Sequence, residues 1–286
     1  MCEVSHFAAS ALDGSSGCRS TFENEHNLSW QGSLMEGRIV RRLAAELMGT
    51  ALLVLFGPGA VIAALTMGDG ALTFADLGFV ALAFAVVVAL VIYAFGPVSG
   101  AHINPAVTIA LAVAKRFPWV EVAPYVAAQL VGAFVGGLLV VATFGMSAVD
   151  LGMGATVLAE GVPAWQGIVA EAFGTFILLL AIMALAVDPR APAGWAGLMI
   201  GLAVALEILL IGPLTGGSVN PARTFGPYLT LTVLGGEVPW GQFFVYVVGP
   251  VAGAVLAVLT YAFVSQEPED RVSRRGTPGA DDLPQT

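Results

Sequence analysis

The chain has 286 residues, 57% of them hydrophobic and only 11% charged, with a formal net charge of −9. That composition and its strongly positive mean hydropathy belong to an integral membrane protein and exclude an ordinary soluble domain. Neither a basic patch nor an aromatic–basic ladder suggests nucleic acid as a partner.

Residues 1–35 are polar, rich in Ser, Glu and Asn, and lack the charged-then-apolar layout of a signal peptide. They read as a disordered tail, with the membrane domain starting near residue 38, so the tail is assigned to 1–37. Met35-Glu-Gly-Arg-Ile-Val-Arg-Arg is a natural start to that domain, and Met35 is the expected initiator. Both cysteines, Cys2 and Cys18, lie in this tail. They give no disulfide framework and no metal-ligand spacing, and no cofactor or metal is implied.

Six apolar runs follow, near 40–65, 74–96, 119–143, 166–187, 194–212 and 240–264. Each is long enough to cross a hydrocarbon core of about 30 Å, which takes about 20 residues. Two further apolar pieces, 104–115 and 220–232, are too short. At about 1.5 Å per residue they reach roughly halfway, as re-entrant half-helices. The segments before them, 96–103 and 212–219, read as non-helical backbone, which is tolerated at membrane depth only beside protein or a wet cavity. A second tail, 265–286, closes the chain.

The positive residues fix an orientation. Arg19, Arg38, Arg41 and Arg42 precede the first run. Lys115 and Arg116 lie between the second and third, Arg190 between the fourth and fifth, and Arg271, Arg274 and Arg275 after the sixth. All fall on one side, which is therefore cytoplasmic and holds both termini. Arg223 alone departs from the pattern. Trp119, Trp165, Trp195 and Trp240 stand at run starts, as interfacial anchors should.

The two halves of the domain, about 38–143 and 164–264, resemble each other. Ala45-Glu46-Leu-Met-Gly-Thr50 is answered by Ala170-Glu171-Ala-Phe-Gly-Thr175. Three runs per half is an odd number, so the second copy is inverted in the membrane. Gly132/Gly136 and Gly249/Gly253 are small-xxx-small pairs suited to close helix packing. Each half carries one Asn-Pro-Ala: Asn104-Pro105-Ala106 and Asn220-Pro221-Ala222, the second followed by Arg223. Asn is a favoured N-cap and Pro fits the first helical position. The cap uses the amide oxygen and leaves the NH2 group to donate elsewhere.

One half-helix therefore enters from each face, and their positive ends meet near the bilayer centre. The glycine-rich approaches Gly100-Ala101-His102 and Gly216-Gly217-Ser218 offer backbone carbonyls as a line of acceptors. Such a path repels cations and passes neutral hydrogen-bonding molecules.

These motifs resemble the aquaporin, or major intrinsic protein, family: Ser99-Gly-Ala-His-Ile-Asn-Pro-Ala-Val-Thr in the first half and Gly212-Pro-Leu-Thr-Gly-Gly-Ser-Val-Asn-Pro-Ala-Arg in the second. The resemblance spans about 38–264. It implies an all-α membrane protein of six transmembrane helices and two re-entrant half-helices in an inverted 3+3 repeat. It further implies a homotetramer in the plasma membrane, one pore per subunit, with the lipid bilayer, water and small neutral solutes as partners. Glu46 and Glu171 are assigned as buried carboxylates holding the re-entrant loops. A four-residue filter is placed at Phe84, Ile208, Gly217 and Arg223. Strict water channels usually carry His at the position of Ile208, and often Cys or Thr at that of Gly217. Typical glycerol channels carry Asp at the position of Thr224 and Lys or Arg at that of Tyr228. The pair Ile208 and Gly217, with Tyr246-Val247, looks more like nodulin-type and tonoplast-type members, which pass water with glycerol, ammonia or metalloid hydroxides.

Two residues carry competing readings. For His102, the ring props the loop while its carbonyl lines the pore; the alternative is a gating role. For Glu207, beside Ile208, the ordinary reading is a bond to neighbouring loop or helix groups. The sharper one is a pore-edge acceptor that tunes solute choice. The sequence thus reads as a passive channel for water and small uncharged solutes that excludes ions, and not as an enzyme. The alternatives are a strict water channel and, more remotely, an ion-coupled secondary transporter, for which no coupling constellation stands out beyond the two repeat-related glutamates.

Overall fold

The computed structural model describes residues 14–266, with side chains from residue 37 onward. The tail assigned to 265–286 lies outside these residues beyond position 266, as do residues 1–13. All regular structure among the described residues is helical: α1 Gly14–Met67, α2 Phe74–Ser99, α3 Pro105–Val113, α4 Val122–Phe144, the short α5 Ser147–Asp150, α6 Ala164–Ile182, α7 Ala196–Thr215, α8 Pro221–Leu234 and α9 Val245–Val264. A single π-helical turn, Met183–Val187, extends α6. Six segments have the length and apolarity to span a membrane: Gly37–Met67, Phe74–Ser99, Trp119–Phe144, Ala164–Val187, Ala196–Thr215 and Trp240–Val264. They coincide with the six runs expected from sequence.

Three boundaries differ for physical reasons. The backbone of α1 continues back to Gly14, into the stretch expected to be a tail. No proline precedes Pro58, so a helix nucleated in the membrane propagates outward without a second costly nucleus. In α2 and α7 the helix runs through Gly96-Pro97 and Gly212-Pro213, instead of stopping at the glycine, and ends at Ser99 and Thr215. A proline in the last turn lacks one N–H but leaves the following residues helical. Gly100 (φ 91°) and Gly216 (φ 80°) then terminate the helices as left-handed caps, each donating its N–H to the carbonyl four residues back.

The packing follows the inverted repeat. Helix α1 packs on α4 as α6 packs on α9, while α2 and α7 face each other between the halves. The half-helices exchange sides, with α3 against α9 and α8 against α4. Glycines make the within-half contacts possible. A Cβ at Gly132 would sit less than 3.0 Å from the backbone of Leu47, and one at Gly253 would do the same against Ala172. The helices can therefore approach backbone to backbone, as small-xxx-small pairs allow. Outward faces are apolar: Phe79, Leu82, Val86 and Leu90 of α2 form an exposed stripe at helical spacing. All four interfacial tryptophans are exposed, in keeping with an anchoring role at span ends.

Overpacking a glycine contact of this kind costs about 1–3 kcal/mol or more where backbone, not a flexible side chain, is in the way. Gly253→Val is expected to lower the midpoint of thermal unfolding in detergent, whereas Gly241→Ala, whose Cβ would meet nothing within 4 Å, is expected to leave it in place.

Candidate functional site

The site is built where α3 and α8 meet end to end. Asn104 caps α3 by accepting from Ala106 N at 2.9 Å, and Asn220 caps α8 by accepting from Ala222 N at 3.0 Å and Arg223 N at 3.3 Å. The prolines occupy the first helical turn, as expected. The amide NH2 groups are not wholly free. Asn104 Nδ2 donates to Val219 O and Asn220 Nδ2 donates to Ile103 O, each at 2.8 Å. Each cap is thus tied to the opposite loop, and one N–H of each amide remains.

The loops leading to the caps are strained. Ala101 (φ 48°), Ile103 (φ 44°) and Val219 (φ 46°) lie in the left-handed region, as do Gly100, Gly216 and Gly217. For β-branched residues that is a costly conformation, which persists only when its surroundings impose it. The two buried glutamates do so. Glu46 Oε1 accepts from Ser99 Oγ (2.7 Å) and His102 N (2.9 Å), and its Oε2 from Ile103 N (2.7 Å) and Gln129 Nε2 (2.8 Å). Glu171 repeats the pattern with Thr215 Oγ1 (2.7 Å), Ser218 N (3.0 Å) and Val219 N (2.7 Å). Tyr125 and Tyr246 complete the symmetry by donating to Ser99 O and Thr215 O.

This arrangement leaves a line of carbonyls. The oxygens of Gly100, Ala101, His102, Gly216, Gly217 and Ser218 accept no hydrogen bond from any described residue, whereas those of the flanking Ser99, Ile103, Thr215 and Val219 do. Ala101, His102, Gly217 and Ser218 are buried, and buried carbonyls without a protein partner call for a mobile one; Gly100 and Gly216 are exposed. Gly100, Ala101, His102 and Ser218 line an inner cavity of about 80 Å³, together with Asn104, Asn220, Phe84 and Arg223. A water needs about 10–15 Å³ of such space, so the cavity takes a short file of waters or one small polyol. Gly216 lies instead on an outer cavity with Ile208 and Arg223. Arg223 therefore stands between the two.

The four expected filter residues are brought together. The Arg223 guanidinium lies over the Phe84 ring, 5.1 Å from its centroid. A Cβ at Gly217 would meet Ile208 Cγ1 at 3.3 Å. Arg223 Nη1 donates to Gly154 O at 2.9 Å, and its Nε has no partner. Sequence reasoning missed Gly154 and the segment around it. Thr156 Oγ1 shares a hydrogen bond with Thr224 Oγ1, and Thr156 O accepts from Tyr228 Oη. These bonds fold the 145–163 segment back over the site. The glycines flanking Met153 were its one sequence signal.

The His102 ring packs against Phe117 and Tyr125, which also touch each other, with Nδ1 at 3.2 Å from Thr108 Oγ1. It has the setting of a structural prop. Glu207 departs from its ordinary reading: neither carboxyl oxygen has a hydrogen-bond partner, although the residue is only 2% exposed. Helix geometry points Ile208 to the outer cavity and Glu207 to the inner one.

An inverted pair of half-helices capped nose to nose inside six spans defines an integral multi-pass membrane channel. The description "Major intrinsic protein" names the family whose model matches residues 33–261, and the chain belongs to that family. It is 47% identical over 243 residues to "Probable aquaporin AqpM" of Archaeoglobus fulgidus, covering 80% of this chain and 98% of the relative. It is 41% identical over 242 residues to aquaporin TIP4-4 of Zea mays, covering 83% and 92%. The crystal structure of the aquaglyceroporin from Plasmodium falciparum superposes with a TM-score of 0.68 at 28% identity, covering 79% of this chain and 96% of that one. The protein is a passive channel and not an enzyme.

Converting either glutamate to the amide places an NH2 group against N–H donors. Each buried donor left unpaired costs about 1–3 kcal/mol. Glu46→Gln and Glu171→Gln are each expected to lower the unfolding midpoint in detergent and to cut water permeability per folded channel in proteoliposomes; a midpoint unchanged in both would refute the supporting role.

Proposed function

We propose that this channel conducts water together with small uncharged solutes of the glycerol type, and excludes ions and protons. Ammonia, urea and metalloid hydroxides belong to the same solute class. The observation that carries the reading is the line of six carbonyl oxygens without protein partners, interrupted by two capping amides and Arg223. A neutral molecule exchanges its bonds to water for bonds to these groups at little net cost. A cation must instead pass two helix N-termini, each worth about half a positive charge, and the Arg223 guanidinium. The same field opposes a migrating proton.

The filter supports the wider solute range. Its wall is Phe84, Ile208, the bare backbone of Gly217 and Arg223, so one side is apolar and one lacks a side chain. A hydrocarbon backbone can lie against Phe84 and Ile208 while hydroxyls meet Arg223. The relative of known structure is itself described as an aquaglyceroporin, which favours this over a strict water channel. The concentration of Lys and Arg on one side of the spans supports cytoplasmic termini. The apolar stripes on α2 and the other outer faces suit lipid and sister subunits, and a homotetramer in the plasma membrane is part of the proposal.

Stopped-flow light scattering on proteoliposomes tests it. Water and glycerol are both expected to move faster than through empty vesicles, without saturation and without dependence on an ion gradient. Water flux with no acceleration of glycerol, urea or ammonia would return the channel to the water-only class. A proton conductance above that of empty vesicles would refute the barrier.

The filter assignment has its own test. Ile208→His combined with Gly217→Cys fills the open side and adds a polar contact, and is expected to lower the glycerol-to-water permeability ratio about tenfold or more. An unchanged ratio in a folded, tetrameric variant would refute it.

A further inference from the structure

Glu207 is the one acidic side chain on the inner cavity, and both its carboxyl oxygens lack a hydrogen-bond partner at 2% exposure. Burying a carboxyl without partners costs several kcal/mol in a medium of low polarity, so such a group is retained only where something bonds to it. Nothing among the described residues does. Its charged neighbours are Glu171 and Arg223. The oxygens of Glu171 are taken up by the loop N–H groups and the Thr215 hydroxyl. Arg223 makes no ion pair with Glu207, and its Nε also lacks a partner.

Two glycines lie against Glu207, Gly174 at its Cβ and Gly217 at its carboxyl. A Cβ at Gly174 would come within 3.3 Å of Glu207 Cβ, and one at Gly217 would lie 3.4 Å from Oε2. The carboxyl therefore lies directly beside position 217, at contact distance from any Cβ placed there. Glu207 and Arg223 both line the same small cavity, and the unpaired acceptor of one and the unpaired donor of the other are buried in its wall.

We infer that Glu207 is a specificity-determining residue, the acceptor half of a solute site whose donor half is Arg223. The ligand class is neutral molecules that both donate and accept: a polyol accepts from the guanidinium with one hydroxyl and donates another to Glu207, and urea does the same with its oxygen and an N–H. The site selects these over molecules that only accept. This assignment rests on the broad-solute reading of the channel.

The test compares Glu207→Met, close in volume but without a carboxyl, with Glu207→Gln, which keeps one acceptor oxygen, in proteoliposomes of the full chain. The glycerol-to-water and urea-to-water permeability ratios are expected to fall at least fivefold in the Met variant and to be largely restored in the Gln variant. Orientation is read separately: with Cys2 and Cys18 changed to Ser, Glu207→Cys is expected to make water flux sensitive to mercury, reversibly by thiol. Ratios equal to wild type in the Met variant, or mercury insensitivity of a conducting Glu207→Cys channel, would overturn the role of Glu207 while leaving broad permeability standing. Wild-type vesicles that pass water but neither glycerol nor urea would overturn both.

Discussion

Everything in this channel depends on two carboxylates placed where carboxylates are most expensive. Glu46 and Glu171 sit fully buried at membrane depth, and each is surrounded by donors from a loop that could not otherwise hold its shape. Ile103 and Val219, β-branched and left-handed, would relax to ordinary backbone if their N–H groups were released. The loop carbonyls would then turn away from the cavity or find partners of their own. A buried charge and a strained loop are each unfavourable alone. Together they satisfy one another, and the residue of that exchange is a row of backbone oxygens left without partners among the described residues.

The duplication explains why the device works from both sides. The bonds of Glu46 to the first loop and of Glu171 to the second differ in detail, Ser99 against Thr215 and Gln129 without a direct counterpart among the partners of Glu171, but the two backbone bonds are equivalent. The halves diverge mainly beyond them. The second half alone places a guanidinium after its cap, fixed by Gly154 O, and only there is a glycine, Gly217, set where the first half has Ala101. In the proposed function, symmetry builds the conduit and its breaking at these few positions sets what passes.

Much of this was legible in the residues. The six spans follow from length and apolarity, and the half-helices from Asn-Pro pairs that open runs too short to cross. Glu46 and Glu171 stood out because an acid repeated at the same point of each half is not an accident of composition. What the sequence hid were contacts between distant segments with no periodic signal. The carbonyl of Gly154 and the hydroxyl of Thr156 lie on a loop that reads as filler. The cross-bonds of Asn104 and Asn220 depend on the exact meeting of two ends. The ends of α2 and α7 were read too early, because Gly-Pro looks like a stop even when it falls in the last turn of a helix. For Glu207 the residue type suggested two roles; neither carboxyl oxygen has a hydrogen-bond partner among the described residues, which no residue type could announce and on which the proposal for Glu207 is built.

The exchange of half-helices between repeats also bears on how the chain is made. Helix α3 belongs to the first half but packs chiefly against α9, the sixth span in chain order among the described residues. Its cap bonds to Val219, far along in the second half. Before α9 is made, the first re-entrant segment is held by Glu46, Tyr125 and its contacts with α4 but lacks its larger packing surface. The pore is thus completed only when the second half arrives, and a chain truncated before α9 keeps a first loop tied to Glu46 but a half-helix without its main packing partner.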